Sequence, residues 1–170
     1  KAEKEAIGLY EVTTDSTNYK DEQWYINTNE SFTFNSGKVT RSWGTATPKK
    51  HTDTLWTEED KTDGNIPEGK DVGDVAVEGL KTQLIRTIKQ QAAGELQKTD
   101  WYIIRKADAD TAVPSSITTH RAAVRTKAAE METAITNAAD TPALETLYTY
   151  TEQEDGSITR PLGEFPTLEN

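Results

Sequence analysis

The sequence predicts an α+β protein with a small N-terminal antiparallel β-sheet, a long polar linker, and a C-terminal antiparallel helix pair followed by a short third helix and a terminal hairpin or extended tail. Three observations predict it. Runs of aromatic and β-branched residues alternate with turn signals between residues 9 and 43. Residues 44 to 74 are mostly Thr, Lys, Asp, Glu, Gly and Pro. From Leu80 onward, apolar residues recur at steps of three and four, the spacing that lines one face of an α-helix. The expected divisions are a β-rich domain over 1–45, a polar arm over 46–74, a helical hairpin over 75–148 and a hairpin or tail over 149–170.

At the start, Lys1 to Ala6 are compatible with a short helix that Gly8 would stop. The strand-like runs are Leu9 to Thr13, Gln23 to Ile26 and Ser31 to Phe34, and Asn35-Ser36-Gly37 before Lys38 to Trp43 reads as a hairpin turn. Side chains alternate along a strand, so Phe32, Phe34, Val39 and Trp43 are expected, in some combination, on the inward face. The polar arm buries little, and it becomes ordered where it lies on a partner. Its exposed Leu55-Trp56 pair is the natural anchor.

The first long helix is read from Val77, Leu80, Leu84, Ile88, Ala92 and Leu96. In the second, Ile117, Val124, Met131 and Ala138 recur every seven residues, with Ala128 and Ile135 at the other seam position, as two helices packed face to face require. Arg121 occupies a seam position and breaks the pattern. Lys98 to Ser115 reads as the connection. Ser115 or Ser116 is placed to cap the second helix after Pro114, and Thr141 with Pro142 to open a third. Trp101 is expected to cap the open end of the helix pair. Beyond it, Leu147 to Thr151 and Ser157 to Arg160 flank Glu154-Asp155-Gly156, a second hairpin signal.

Composition bounds the function. With 170 residues and 34% apolar content, the chain holds one modest domain or two small ones around a thin core. Its net charge of −10 repels phosphate backbones and no basic cluster offsets it, so nucleic acid is not an expected partner. Cysteine is absent, which removes disulfides and thiolate metal sites. No window approaches the roughly 20 apolar residues of a membrane span, and no charged-then-apolar signal segment opens the chain. The first residue is Lys1 rather than Met, which points to a start inside a longer natural chain or after processing.

Chemistry-bearing patterns are few, and no catalytic residue, metal or cofactor is expected. His51 and His120, without cysteine, assemble neither a zinc site nor a Ser-His-Asp group unaided, and His120 reads as a surface or seam-edge residue. Asp60-Lys61-Thr62-Asp63-Gly64-Asn65 is out of register with a calcium loop and reads as a turn, and Asp108-Ala109-Asp110 as solvated acids. Neither a G-x-G-x-x-G nor a G-K-[ST] phosphate cradle can be written. An acid-pair glycan hydrolase needs one carboxyl held in an apolar pocket, whereas the acids here fall in runs such as Glu58-Glu59-Asp60.

One ordered set of motifs points further: Leu96-Gln97-Lys98-Thr99-Asp100-Trp101, then Ile104-Arg105-Lys106, Val113-Pro114-Ser115, Arg121-Ala122-Ala123-Val124-Arg125 and Ile135. Over about Leu80 to Leu147 this order resembles the tail-fibre-assembly or tail-assembly-chaperone-like domain of tailed bacteriophages, in which a T-D-W step is followed by a polar loop, a proline and an R-x-x-[VIL]-R helix. The family commonly carries Trp or Tyr on the second helix, where this chain has His120 and Arg121, and only Phe165-Pro166 echoes its apolar-proline ending. The resemblance implies a virion protein, or one present in the bacterial host cytoplasm during assembly. The expected function is accordingly non-enzymatic: a phage virion, tail or tail-fibre component acting through contacts with tail, fibre or capsid subunits, with self-association left open. The partner-contact candidates are Trp101, Tyr102, Leu55, Trp56, Arg121 and Phe165. The alternatives are a carbohydrate- or receptor-binding module of a tail fibre and, last, a cell-wall glycan hydrolase.

Overall fold

The computed structural model describes residues 2–168, so the expectation for Lys1 lies outside the described residues. The architecture is α+β, with small sheets toward the N-terminus and helices toward the C-terminus. The chain forms two compact units, Lys1–Lys49 and Lys50–Asn170.

The first unit opens with helix α1 (Ala2–Ala6), which ends at Gly8 in the left-handed region, φ +79°. Strands β3 (Ser31–Asn35) and β4 (Lys38–Ser42) form the expected hairpin, Phe34 opposite Val39 and Asn35 opposite Lys38. Its two-residue turn, Ser36 and Gly37, has both φ values positive, as a tight hairpin of this twist requires. Strand β1 (Val12–Thr14) adds to the other edge of β4 in the parallel sense, so the sheet, in order β1-β4-β3, is mixed rather than wholly antiparallel. The segment from 15 to 37 exceeds the crossover of about a dozen residues that a parallel pair needs. Within it lies β2 (Tyr25–Ile26), which pairs antiparallel with β5 (Thr47–Pro48).

Alternation places Phe32, Phe34, Val39 and Val12 on one face, but that face is not an inward one. Phe32 is 61% and Phe34 57% exposed, and only the Tyr10 ring, 4.7 Å from that of Phe34, lies against them among the aromatic contacts. A sheet buries a face only against a second layer, and the five-residue α1 is too short to supply one. The buried apolar residues of this unit are instead Trp24, Tyr25 and Ala46, around the β2–β5 ladder.

In the second unit, the polar stretch expected as a linker builds structure. Strand β6 (Thr54–Leu55) pairs antiparallel with β7 (Val75–Val77), so Val77 is a strand residue rather than the first of the helix. Between them, α2 (Glu58–Thr62) starts at a reciprocal cap in which Thr57 and Asp60 each bind the other's backbone N–H. Residues 50 to 53 then close the start of α3 (Leu80–Gln97). The Asp53 carboxylate accepts from the Gly79 N–H at 2.7 Å and the Thr82 hydroxyl at 2.9 Å, while the Lys50 and His51 carbonyls accept from the N–H groups of Leu80 and Lys81. The approach is possible only at glycine, because a Cβ on Gly79 would lie 2.3 Å from the Thr52 carbonyl carbon.

Helix α5 (Ser115–Asn137) packs on α3 in the antiparallel sense. Lys81 at the start of α3 donates to the Thr136 carbonyl near the end of α5, Lys89 pairs with Glu132, and Arg121 near the start of α5 reaches the Leu96 carbonyl near the end of α3. The seam is the expected one: Ile88 and Ala92 from α3, and Ile117, Val124, Ala128, Met131 and Ile135 from α5, are buried. Ala138 lies just past the helix and is half-buried.

Two caps differ from expectation. Pro114 itself occupies the cap position of α5 and no side chain caps it. In α6 (Thr141–Tyr148) the cap is Asp140, whose carboxylate accepts from the Ala143 N–H at 2.8 Å, with Thr141 as the first helical residue. The Asp140 carboxylate, one residue earlier, takes the role because it reaches the third helical N–H. The hairpin of β8 (Thr151–Glu152) and β9 (Ile158–Thr159) follows as expected, and Leu162 is buried with its N–H on the Leu147 carbonyl. Arg160 ties the end of the chain down: its guanidinium lies 5.3 and 5.2 Å from the Tyr148 and Tyr150 ring centres and pairs with Glu164, which also accepts from the Tyr150 hydroxyl at 2.6 Å.

Candidate protein-interaction surface

The connection between the long helices is itself helical, as α4 (Asp100–Ala109). Trp101, Tyr102, Ile103 and Ile104 are residue types that favour strands, and local preference yields here to a tertiary anchor. That anchor is Arg121. One terminal nitrogen of its guanidinium, Nη1, donates to the Leu96 carbonyl at 2.7 Å, the Thr99 hydroxyl at 2.7 Å and the Asp100 carboxylate at 2.8 Å. The last residues of α3 and the first of α4 are therefore held by one side chain from α5. Thr99 is fully buried at the bend and its hydroxyl donates back to Leu96.

Arg121 is thus an internal clamp and not a contact residue. It is 8% exposed, and burial of a guanidinium is tolerated here because one of its nitrogens meets three acceptors, one of them a carboxylate. The Asp100 partner is half-exposed, so solvent weakens that pairing relative to a fully enclosed one.

The clamp fixes how α4 is presented. No residue of α4 is buried. Tyr102 and Arg105 are half-buried, the guanidinium 5.5 Å from the ring centre, and mark the inner side. Trp101 is 63% exposed and Ile104 59%, with Ile103 also exposed; at 3.6 residues per turn these three fall within one arc of about 160°, shared with Asp108 and with Asp100, whose carboxylate meets Arg121. Trp101 therefore does not cap the helix pair as the sequence suggested. A surface helix normally turns such residues toward the core, and an apolar arc facing outward is the kind of patch that marks an interaction site.

The other contact candidates divide between the two ends of the pair. Phe165 is half-buried and, with Pro166, lines a hollow against Glu95, Lys98 and His120, at the same end as the Arg121 clamp. Of the two expected places for His120, surface or seam edge, its burial on α5 excludes the surface. Leu55, exposed at the end of β6, and Trp56, half-buried just after it, lie toward the start of α3, one helix length of about 27 Å away. Sequence reasoning missed Ile103 and Ile104; the signal was present in the spacing of Trp101 and Ile104, but a segment read as a loop has no face on which to place them.

Asp60 serves the α2 cap, and its hydrogen bonds from Thr57 hold its carboxyl below the ordinary 3.8. Asp108 and Asp110 are exposed. Among the described residues, no group of three or more His, Cys, Asp or Glu is placed to hold a metal ion, and no helix is long and apolar enough to cross a membrane. Compared with models of known families, with curated proteins and with solved structures, the chain finds no match.

Proposed function

We propose that this chain is a non-enzymatic component of a tailed-bacteriophage particle, or of its tail or tail-fibre assembly, and that it acts through protein–protein contacts. The observation that carries the contact role is the outward apolar arc of α4, held in place by Arg121. Desolvating an exposed aromatic ring and two isoleucines gives a partner a hydrophobic anchor, and a preformed helix avoids the ordering cost that a flexible loop would bring.

The phage context rests on the motif order. The signature-like Thr99-Asp100-Trp101 step and the Arg121-to-Val124 run lie far apart in sequence, and their side chains meet: Arg121 clamps Thr99 and Asp100, leaving Trp101 outward. This gives the spacing a physical reason, since the clamp works only if both segments reach the same end of the helix pair. Its place is the virion, or the host cytoplasm during assembly, and its partners are tail, fibre or capsid subunits.

The test is quantitative mass spectrometry of purified particles and of tail and fibre intermediates from the source phage. A fixed ratio to the major tail protein supports a structural subunit, and recovery with intermediates alone supports an assembly chaperone. Absence from both overturns the proposal.

A further inference from the structure

We infer that the N-terminal unit carries a binding cleft for a neutral saccharide, a site separate from the α4 surface and independent of its role. The cleft lies beside the end of β4, with a volume of about 520 Å³, inside the range of about 300 to 1,000 Å³ typical of small-molecule sites. Thr14 of β1 and Arg41 of β4 reach it from the paired sheet, Ser16, Tyr19 and Glu22 from the loop after β1, Asn27 to Glu30 from the turn before β3, and Trp43 from just past β4.

Two aromatic rings form one wall. Tyr19 and Trp43 have ring centres 4.8 Å apart at 59°, and the Arg41 guanidinium lies 4.5 Å from the Trp43 ring centre. Two acids that also line the cleft hold these groups: the Tyr19 hydroxyl donates to Glu22 at 2.9 Å, and the Arg41 Nε donates to Glu30. The hydrogen bond to Glu22 raises the Tyr19 pKa, keeping the hydroxyl neutral.

Asn29 lines the same cleft. Its φ is +55°, a left-handed conformation unusual for a residue with a side chain, and Gly44 makes room for it: a Cβ on Gly44 would lie 3.0 Å from the Asn29 Cβ and 3.1 Å from its Nδ2. Among the described residues, the Asn29 amide and the two terminal guanidinium nitrogens of Arg41 form no hydrogen bond within the protein. The cleft thus places planar donors and acceptors, which can bracket adjacent hydroxyl groups, beside rings that can meet the C–H face of a pyranose.

The chemistry of the wall narrows the ligand class. No aliphatic side chain lines the cleft, so an acyl chain or an apolar peptide side chain would find no hydrophobic socket. Glu22 and Glu30 outnumber Arg41, so a phosphate or an acidic sugar would meet net repulsion. A neutral polyhydroxylated ring suits both the polar groups and the aromatic wall.

The experiment uses the full chain. It is screened against arrayed neutral and acidic glycans built on glucose, galactose, mannose and N-acetylhexosamines, and the best neutral binder is titrated by calorimetry. Asn29→Gly keeps the positive φ accessible and removes the amide, so it tests the site without straining the turn; Trp43→Ala removes the wall, and Trp101→Ala is the control. The expected result is binding of a neutral glycan that Asn29→Gly weakens roughly tenfold, that Trp43→Ala abolishes and that Trp101→Ala leaves unchanged. Circular dichroism reports whether each variant is folded. No neutral glycan bound at millimolar concentration, a preference for acidic glycans, or binding that survives Asn29→Gly undiminished would each overturn the inference.

Discussion

In the helix pair, Ile88, Val124, Met131 and Ile135 are enclosed almost completely, whereas in the β1-β4-β3 sheet Phe32 and Phe34 stand in solvent from a fully paired hairpin. Both regions follow their own period faithfully, every seven residues in one and every second residue in the other. What separates them is the second layer. Helix α3 has α5 along its length, while the sheet has nothing longer than α1 within its unit. Periodicity therefore decides which residues share a face, and the presence of a second layer decides whether that face becomes a core. Helix α4 falls between the two cases, because one clamp fixes its end and its apolar arc stays open.

The contrast predicts very unequal costs for removing apolar side chains. Ile135→Ala should lower unfolding stability by about 4 kcal/mol, since a fully enclosed side chain leaves a cavity between α3 and α5, and chemical denaturation would measure it. Arg121→Met should cost about 2 kcal/mol by the same measurement, because the charged donor that ties the end of α3 and the start of α4 to α5 is lost, although the Leu96 carbonyl keeps the Thr99 hydroxyl and Asp100 remains reachable by water. It should also speed amide exchange across α4 far more than across α3. Phe34→Thr should change stability by no more than about 0.5 kcal/mol, the ordinary size of a surface substitution, and a larger loss would mean that the sheet face is covered in solution.

The smallest expected effect lies at the end of the chain. The hydrogen bond to Glu164 raises the Tyr150 pKa above its ordinary 10.0. A folded value above the unfolded one means that the contact contributes fully below pH 10.0 and is lost as pH rises through the folded value. Glu164→Gln should move the Tyr150 titration, followed by ultraviolet absorbance, back toward the ordinary value.

The long periodic elements were legible in sequence because their signals are redundant. The α3 and α5 seam rests on many residues, and the Asn35-Ser36-Gly37 and Glu154-Asp155-Gly156 turns on residues chosen for special backbone conformations. The parallel placement of β1 was not legible, because strand pattern carries no information about partner direction. Helix α4 was hidden for a different reason: its residues prefer strands, and the Arg121 hydrogen bonds that hold it span 21 to 25 positions. The same clamp explains why Arg121 reads in sequence as a defect in the seam, although it is the seam's link to α4. Asp53 was equally hidden, since its role at the start of α3 depends on a chain reversal within a stretch that looks like a linker.

The central claim is that α4 is a preformed contact surface rather than part of the core, and the double variant Trp101→Ala, Ile104→Ser tests it most directly when folding and incorporation are measured together. The account predicts an unchanged thermal transition of the isolated protein and a roughly tenfold or greater fall in its ratio to the major tail protein in purified particles or assembly intermediates, as expected when a hydrophobic anchor is lost. Full incorporation of a normally folded double variant would contradict it.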